Sequence, residues 1–189
     1  MTDISWIYLL LLLLSLSVLL NLQLTIKMYL RVKELPGFYS LAIAPQAGDQ
    51  LPELQGKNLQ TGVFQPVWHQ NSATVLLFLS SRCPKCQQKL AALDQLNLLL
   101  NNRGVEMRLL SAEPGWRFKR FLANTSLAVQ TLKMPGRDYL QLNPHQQSPA
   151  YLFIDQQGEL QAAGLIDDEN WLAFIEQLQD VATTSEQAA

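Results

Sequence analysis

The 189-residue chain reads as an α/β protein: a central mixed sheet flanked by helices, preceded by one N-terminal transmembrane helix. Three observations predict this. Residues 4–26 contain no charged side chain and include an unbroken leucine run at 9–14. From residue 74 onward, apolar strand-like runs alternate with helical stripes. The last third then changes to a hairpin signal followed by a final helix.

The apolar segment would extend about 35 Å as a helix, enough to cross a hydrocarbon core of about 30 Å. Trp6 and Tyr8 at one end and Tyr29 at the other suit interfacial anchoring. A cleaved signal peptide fits poorly, because Asp3 and no Lys or Arg precedes the run. The nearest small-x-small site, Ala42-Ile43-Ala44, lies far downstream and is followed by Pro45. Lys27, Arg31 and Lys33 follow the span, and the positive-inside rule would hold the C-terminal side in the cytoplasm, although large domains translocate regardless of such bias. The expected organisation is a flank at 1–3, an anchor at 4–26, a juxtamembrane linker at 27–48, a compact domain at 49–178 and a tail at 179–189. Pro36-Gly37, Pro45 and Gly48 punctuate the linker. A net charge of −2 gives no electrostatic basis for binding nucleic acid.

Within the domain, residues 58–64 and 66–69 read as short edge strands, with a turn at Asn71-Ser72. Residues 74–80 are apolar on both faces, as a central strand covered by helices should be. Leu90, Leu93, Leu96, Leu99 and Leu100 form a helical stripe over 84–101, closed by Asn101-Asn102-Arg103-Gly104. A strand is expected at 105–111 and a helix at 114–122. Residues 150–154 and 159–163 form a hairpin around Asp155-Gln156-Gln157-Gly158. Asp167-Asp168 caps a last helix with Trp171, Phe174, Ile175 and Leu178 at core spacing. The expected order is β-α-β-α-β-β-α.

Cys83 and Cys86 are the two cysteines of the chain, separated by Pro84-Lys85 at the first strand-to-helix junction. The thiolate is the attacking species in disulfide exchange, and a helix N-terminus lowers a thiol pKa from about 8.5 toward 3.5–7.5. Arg82 and Lys85 add positive charge that acts in the same direction. Pro84 is tolerated in the first turn, where its missing N–H has no partner. Cys86, one turn along the same face, can reach Cys83. Cys83 is therefore the expected nucleophile and Cys86 the resolving thiol. A zinc site would need about four ligands, whereas His69 and His145 are isolated and lack ligand spacing. No metal and no cofactor beyond the Cys83–Cys86 redox pair is expected.

Pro149 is the second element. Cis peptide bonds are mostly an X-Pro phenomenon, and the segment Ser148-Pro149-Ala150-Tyr151-Leu152-Phe153-Ile154 places such a bond at the start of a strand. A trans-proline opening an edge strand is the alternative. His69 and His145 read as surface residues without chemistry. The run Trp116-Arg117-Phe118-Lys119-Arg120 reads as an amphipathic helix with a solvated charged face, with anion or partner binding as the alternative.

With these residues in hand, the chain resembles the membrane-anchored branch of thioredoxin-like proteins, and within it the methylamine-utilisation maturation proteins of the MauD type. The resemblance rests on the anchor, the lead-in Ala47-Gly48-Asp49-Gln50-Leu51-Pro52, the segment Leu77-Phe78-Leu79-Ser80-Ser81-Arg82-Cys83-Pro84-Lys85-Cys86, and the hairpin ending Ala163-Gly164-Leu165-Ile166. It implies a cis-proline at Pro149 facing the reactive cysteine, with the Ser148 backbone pairing with a bound substrate chain. It also implies an inner-membrane, single-pass protein whose catalytic domain faces the periplasm. There it would act as a disulfide oxidoreductase or isomerase maturing the disulfide-rich small subunit of methylamine or aromatic amine dehydrogenase, with a membrane electron-relay protein as redox partner. Two departures stand out. Arg82 occupies the position where many thioredoxins have Trp, and residues 74–79 hold no acid to take a proton from the resolving thiol. A thioredoxin-like copper-delivery protein, or a non-catalytic assembly adaptor, is the competing reading.

Overall fold

The structure, a computed structural model, describes residues 2–33 and 44–186. Residues 34–43 of the expected linker lie outside the described residues, as do Met1 of the flank and residues 187–189 of the tail. The chain divides into two compact units, Met1–Ser40 and Leu41–Ala189.

The first unit is helix α1, Thr2–Lys33. Its 24-residue stretch Trp6–Tyr29 is apolar and long enough to cross a membrane, about 36 Å. Leucines around its whole circumference are exposed, from Leu9 to Leu24. An all-round apolar surface suits a lipid environment rather than one packed face.

The second unit is built on a seven-stranded mixed sheet in the order β2-β1-β5-β4-β3-β6-β7. Its strands are β1 (Gln55–Asn58), β2 (Phe64–Pro66), β3 (Thr74–Phe78), β4 (Glu106–Ser111), β5 (Thr131–Lys133), β6 (Ala150–Ile154) and β7 (Leu160–Leu165). The helices are α2 (Pro84–Asn101), α3 (Gly115–Phe121), α4 (Gly136–Leu142) and α5 (Glu169–Glu186). β4 runs parallel to both β3 and β5, while β6 and β7 return antiparallel. Every residue of β3 is buried, as its two-sided apolar run predicts. Successive side chains alternate between faces. Val75, Leu77 and Leu79 enter a core with α2, α3 and α5, while Leu76 and Phe78 face Leu132, Met134, Leu142 and Trp68.

Three sequence expectations are corrected. The strands placed at 58–64 and 66–69 lie earlier, because residues 59–63 form the hairpin turn instead. Asn58 Oδ1 accepts from the backbone N–H groups of Gln60 and Thr61 at 2.9 Å, and Gly62 takes a φ of +72°. An asparagine that bonds its own following backbone favours a turn over a strand. β5 and α4 were absent from the expected order, being only 3 and 7 residues long. Neither length supports a readable period, and their stability comes from packing, as with fully buried Leu132. The final helix continues through residue 178 to Glu186. Its start is capped as expected, with Asp168 Oδ1 accepting from Trp171 N at 2.8 Å and from the Tyr151 hydroxyl at 2.8 Å.

At the outer edge of β7 the lead-in segment lies alongside the strand. Gly48 N donates to Leu160 O at 2.8 Å, Leu160 N to Asp49 O at 2.9 Å, and Leu51 N to Gly158 O at 3.0 Å.

Candidate functional site

β3 ends at Phe78, and five residues later the chain enters α2 through Cys83. This residue is the N-cap: its backbone is extended (φ −92°, ψ 114°), and its Sγ accepts from Cys86 N at 3.4 Å. A side-chain acceptor at that position satisfies one of the unpaired donors of the first helical turn. Pro84 follows as the first helical residue. Cys83 O accepts from Gln87 N at 3.2 Å, so the cysteine is held from both its side chain and its carbonyl.

Both cysteines are free thiols, and their surroundings differ. Cys83 is half-buried, whereas Cys86 is 0% exposed and belongs to the core beneath α2. Burial alone would raise the Cys83 thiol. Hydrogen bonds with the Cys86 thiol and with the backbone N–H groups of Cys86 and Lys85 outweigh it, and the net shift is downward. Cys86 moves the other way. Burial pushes it up to about 11, and the Cys83 side chain adds to the rise through its hydrogen bond and charge, against a lowering contact from Ser80 N. That contact is Ser80 N to Cys86 Sγ, 3.5 Å. The pair is thus split between a half-buried thiol that ionises more readily than an ordinary cysteine and a covered one that ionises less readily. Arg82 and Lys85 flank the pair with exposed side chains. The groups that lower Cys83 are the donors at the helix start.

Ser148 and Pro149 come to the same place. Their peptide bond is cis, and the Ser148 carbonyl accepts from Cys83 Sγ at 3.5 Å. The antiparallel register of β3 and β6 sets Ala150 beside Phe78, which brings the proline loop to the strand end that delivers the cysteines. Buried Asn143 fixes that loop: its Nδ2 donates to Gln147 O at 2.8 Å, and its Oδ1 accepts from Gln147 N at 2.9 Å. Sequence reasoning did not single out Asn143.

It also missed Glu113. This carboxyl group accepts from Ser80 Oγ at 2.9 Å, from Ser81 N at 2.9 Å, and from Ser81 Oγ. It therefore ties the end of β4 to the loop just ahead of Cys83. No acid lies in residues 74–79, as the sequence shows, but the neighbouring strand brings one to the loop. A signal existed, since parallel strands of a β-α-β unit end at the same edge. The parallel register ends with Leu110 beside Phe78, and three residues beyond that pair on each side Glu113 meets Ser81.

The remaining candidates lie elsewhere. His69 sits among Glu106 and Arg108, with Nδ1 3.0 Å from Glu106 Oε2, and His145 lines a small pocket of about 60 Å³ beside β6. Among the described residues, no three His, Cys, Asp or Glu side chains converge in a metal-binding cluster. The Trp116–Arg120 run does form an amphipathic helix, α3, with Phe118 inside and Lys119 and Arg120 outside.

No family model matches the chain, and no curated protein matches it in sequence. Solved structures do match its fold. A Chlorobium tepidum protein assigned as thiol:disulfide interchange protein DsbE superposes with a TM-score of 0.60 at 20% identity, over 74% of this chain and 99% of that one. A Bacteroides sp. thiol:disulfide interchange protein gives 0.60 at 13% identity, over 72% and 93%. The thioredoxin domain of a Bacteroides vulgatus thiol-disulfide oxidoreductase gives 0.59 at 13% identity, over 71% and 98%. The second unit has a thioredoxin-like fold.

Proposed function

We propose that the chain is a membrane-tethered thiol–disulfide oxidoreductase or isomerase acting on cysteines of a secreted protein. The observation that carries this is the asymmetry of the dithiol at the helix start: an accessible thiol lowered by donors, a buried partner raised to about 11, and the Ser148 carbonyl beside the first. Fold neighbours described as thiol:disulfide interchange proteins support it.

In the exchange, the Cys83 thiolate attacks one sulfur of the partner's disulfide. The partner's S–S bond breaks, a Cys83–partner mixed disulfide forms, and one partner thiolate leaves. Cys86 then loses its proton and attacks Cys83 Sγ, closing Cys83–Cys86 and releasing the second partner thiolate. Two electrons pass from the chain to the partner, and the reverse sequence oxidises a partner dithiol through the same atoms. Formation of the mixed disulfide itself eases the second step. Once Cys83 is bonded it no longer carries charge, so the part of the Cys86 elevation that comes from Cys83 disappears. The backbone of half-buried Ser148, ahead of the cis bond, would receive the partner's extended chain by strand addition.

The finer reading follows the resemblance to MauD-type proteins. The domain faces the periplasm, and the partner is the disulfide-rich small subunit of an amine dehydrogenase, with a membrane electron-relay protein restoring the redox state of the pair. The charge of Lys27, Arg31 and Lys33 opposes this orientation, and a reporter fused after residue 189 reads it directly. The exchange itself is tested in cells by Cys86→Ala, which should accumulate mixed disulfides on Cys83 for identification by mass spectrometry. If nothing is trapped under oxidising or reducing conditions, the reading is wrong.

A further inference from the structure

Beside Cys83 the surface opens into a groove of about 850 Å³ between α2 and α3. It starts at Ser81 and Arg82, follows Gln87 to Gln95 of α2, and is bounded across by Arg117 and Arg120 of α3. Leu90 and Phe121 supply apolar lining. Three arginines therefore line a cleft that contains one acid, Asp94. Its Oδ1 is already occupied, accepting from Ser126 N at 2.9 Å and Ser126 Oγ at 2.6 Å. Among the described residues, none of these arginines takes part in an ion pair. The chain as a whole is negative, at −2, so this concentration of positive charge is local.

The Arg117 guanidinium lies over the Trp116 ring, 5.3 Å from its centroid. An arginine stacked in this way keeps its in-plane donors available for a carboxylate and loses less freedom on binding than a solvated lysine would. From residue 87 to residue 95 the helix rises about 12 Å, the length of roughly four extended residues. One end of the groove is formed by the residue next to the reactive cysteine.

We propose that this groove receives an acidic segment of the protein substrate, about four residues long, adjoining the substrate's reactive cysteine. The inference rests on the exchange reading above and adds the substrate's chemistry. Carboxylates in the segment pair with Arg82, Arg117 and Arg120, while an apolar side chain among them meets Leu90 and Phe121. The groove thereby supplies selectivity that the dithiol alone lacks, mainly through the rate of encounter. A protein segment suits a cleft that ends at Arg82, one residue from the reactive cysteine, better than a flat lipid surface does.

The test uses the reduced full-length chain in zwitterionic nanodiscs. Three synthetic peptides, each carrying one cysteine as a mixed disulfide with thionitrobenzoate, differ in having Glu, Gln or Lys flanks. Release of the coloured thiolate reports attack by Cys83. The Glu peptide should react about tenfold faster than the Gln peptide at low salt, and the Lys peptide slowest. The differences should shrink as salt rises. The double reversal Arg117→Glu/Arg120→Glu should invert the order, and the inversion itself shows that the variant is folded. Equal rates for all three peptides, alongside normal reaction with hydroxyethyl disulfide, would overturn the groove proposal while leaving exchange intact. Failure to react with either the peptides or hydroxyethyl disulfide would sink the exchange reading instead. If the reversal alters behaviour only in phosphatidylglycerol nanodiscs, the groove meets lipid and the proposal is wrong.

Discussion

Two glutamates bracket β4 and keep opposite company. Glu106, the strand's first residue, is held by Arg108 through Nε at 3.1 Å and Nη2 at 2.9 Å, and faces His69 Nδ1 at 3.0 Å. Burial would raise its carboxyl, but hydrogen bonds with His69 and Arg108, together with their charges, hold it below the ordinary carboxylate value. Glu113, two residues beyond the strand's other end, is bonded by two hydroxyls and a backbone N–H, all neutral. Among the described residues it has no ion-pair partner. One end of the strand is thus a charge-compensated closure of the sheet. The other is a hydrogen-bonded brace on the loop that carries the thiols, where a paired cation would compete with those donors. Residue type is the same at both ends, and the neighbouring groups decide its role.

The contrast predicts unequal consequences. The largest should follow Glu113→Ala, which strips three accepted bonds and leaves the donors of Ser80 and Ser81 unpaired. The reduced protein should lose about 2 kcal/mol of stability, read from its thermal melt. Exchange should slow about tenfold, equivalent to roughly 1.4 kcal/mol in barrier, because Ser80 N carries the contact to Cys86. Unchanged stability and rate would erase the distinction between the two ends.

Next in size is the separation between the thiols. Alkylation requires the thiolate, so its rate rises as pH passes each pKa. In the reduced protein Cys83 should show a midpoint below that of an ordinary thiol, and Cys86 one at about 11. Cys83→Ser should bring the Cys86 midpoint down, since the hydrogen bond and charge of Cys83 help to raise it. Two thiols with a common midpoint near 9 would contradict the assignment of roles.

The smallest effect belongs to Glu106→Gln. The pair with Arg108 is partly exposed, with side-chain exposures of 37% and 12%, and should be worth less than about 1 kcal/mol. The folded carboxyl is lowered from 4.5, so its contribution is complete above that value and lost as pH falls through the lower folded one. Stability curves of variant and parent should therefore converge in acid, with exchange rates equal throughout. A slowed exchange would mean that this end also reaches the thiols.

Much of the site was legible in sequence because its parts are local or strongly patterned. The Val75–Leu79 run announces a central strand, the helix start places Cys83 and Cys86 three residues apart, and Pro149 opens a strand of unmistakable hydrophobicity. Glu113 and Asn143 were not, since each acts across the fold rather than along the chain. Glu113 meets Ser81 from 32 residues away, through strand adjacency. Asn143 acts on a loop whose position depends on α4, a helix too short to advertise itself. The hairpin at 55–66 was misplaced because the apolar and β-branched residues after Asn58 suggest a strand, while the asparagine's own side chain turns the backbone. Local chemistry prevailed there over composition.

The hydrogen bonds between residues 48–51 and the start of β7 give the lead-in a second identity. β7 is the last strand of its sheet, and it bears neither lysine nor proline to discourage pairing with another chain. Leu160 would offer an open N–H and C=O there, were they not already bonded to Asp49 and Gly48. The segment that brings the chain into the domain is thus also a gasket on its far edge. Where a recombinant form of the domain is begun consequently matters for its solubility: a start at residue 44 keeps the gasket, whereas a start at residue 52 exposes a template for self-association.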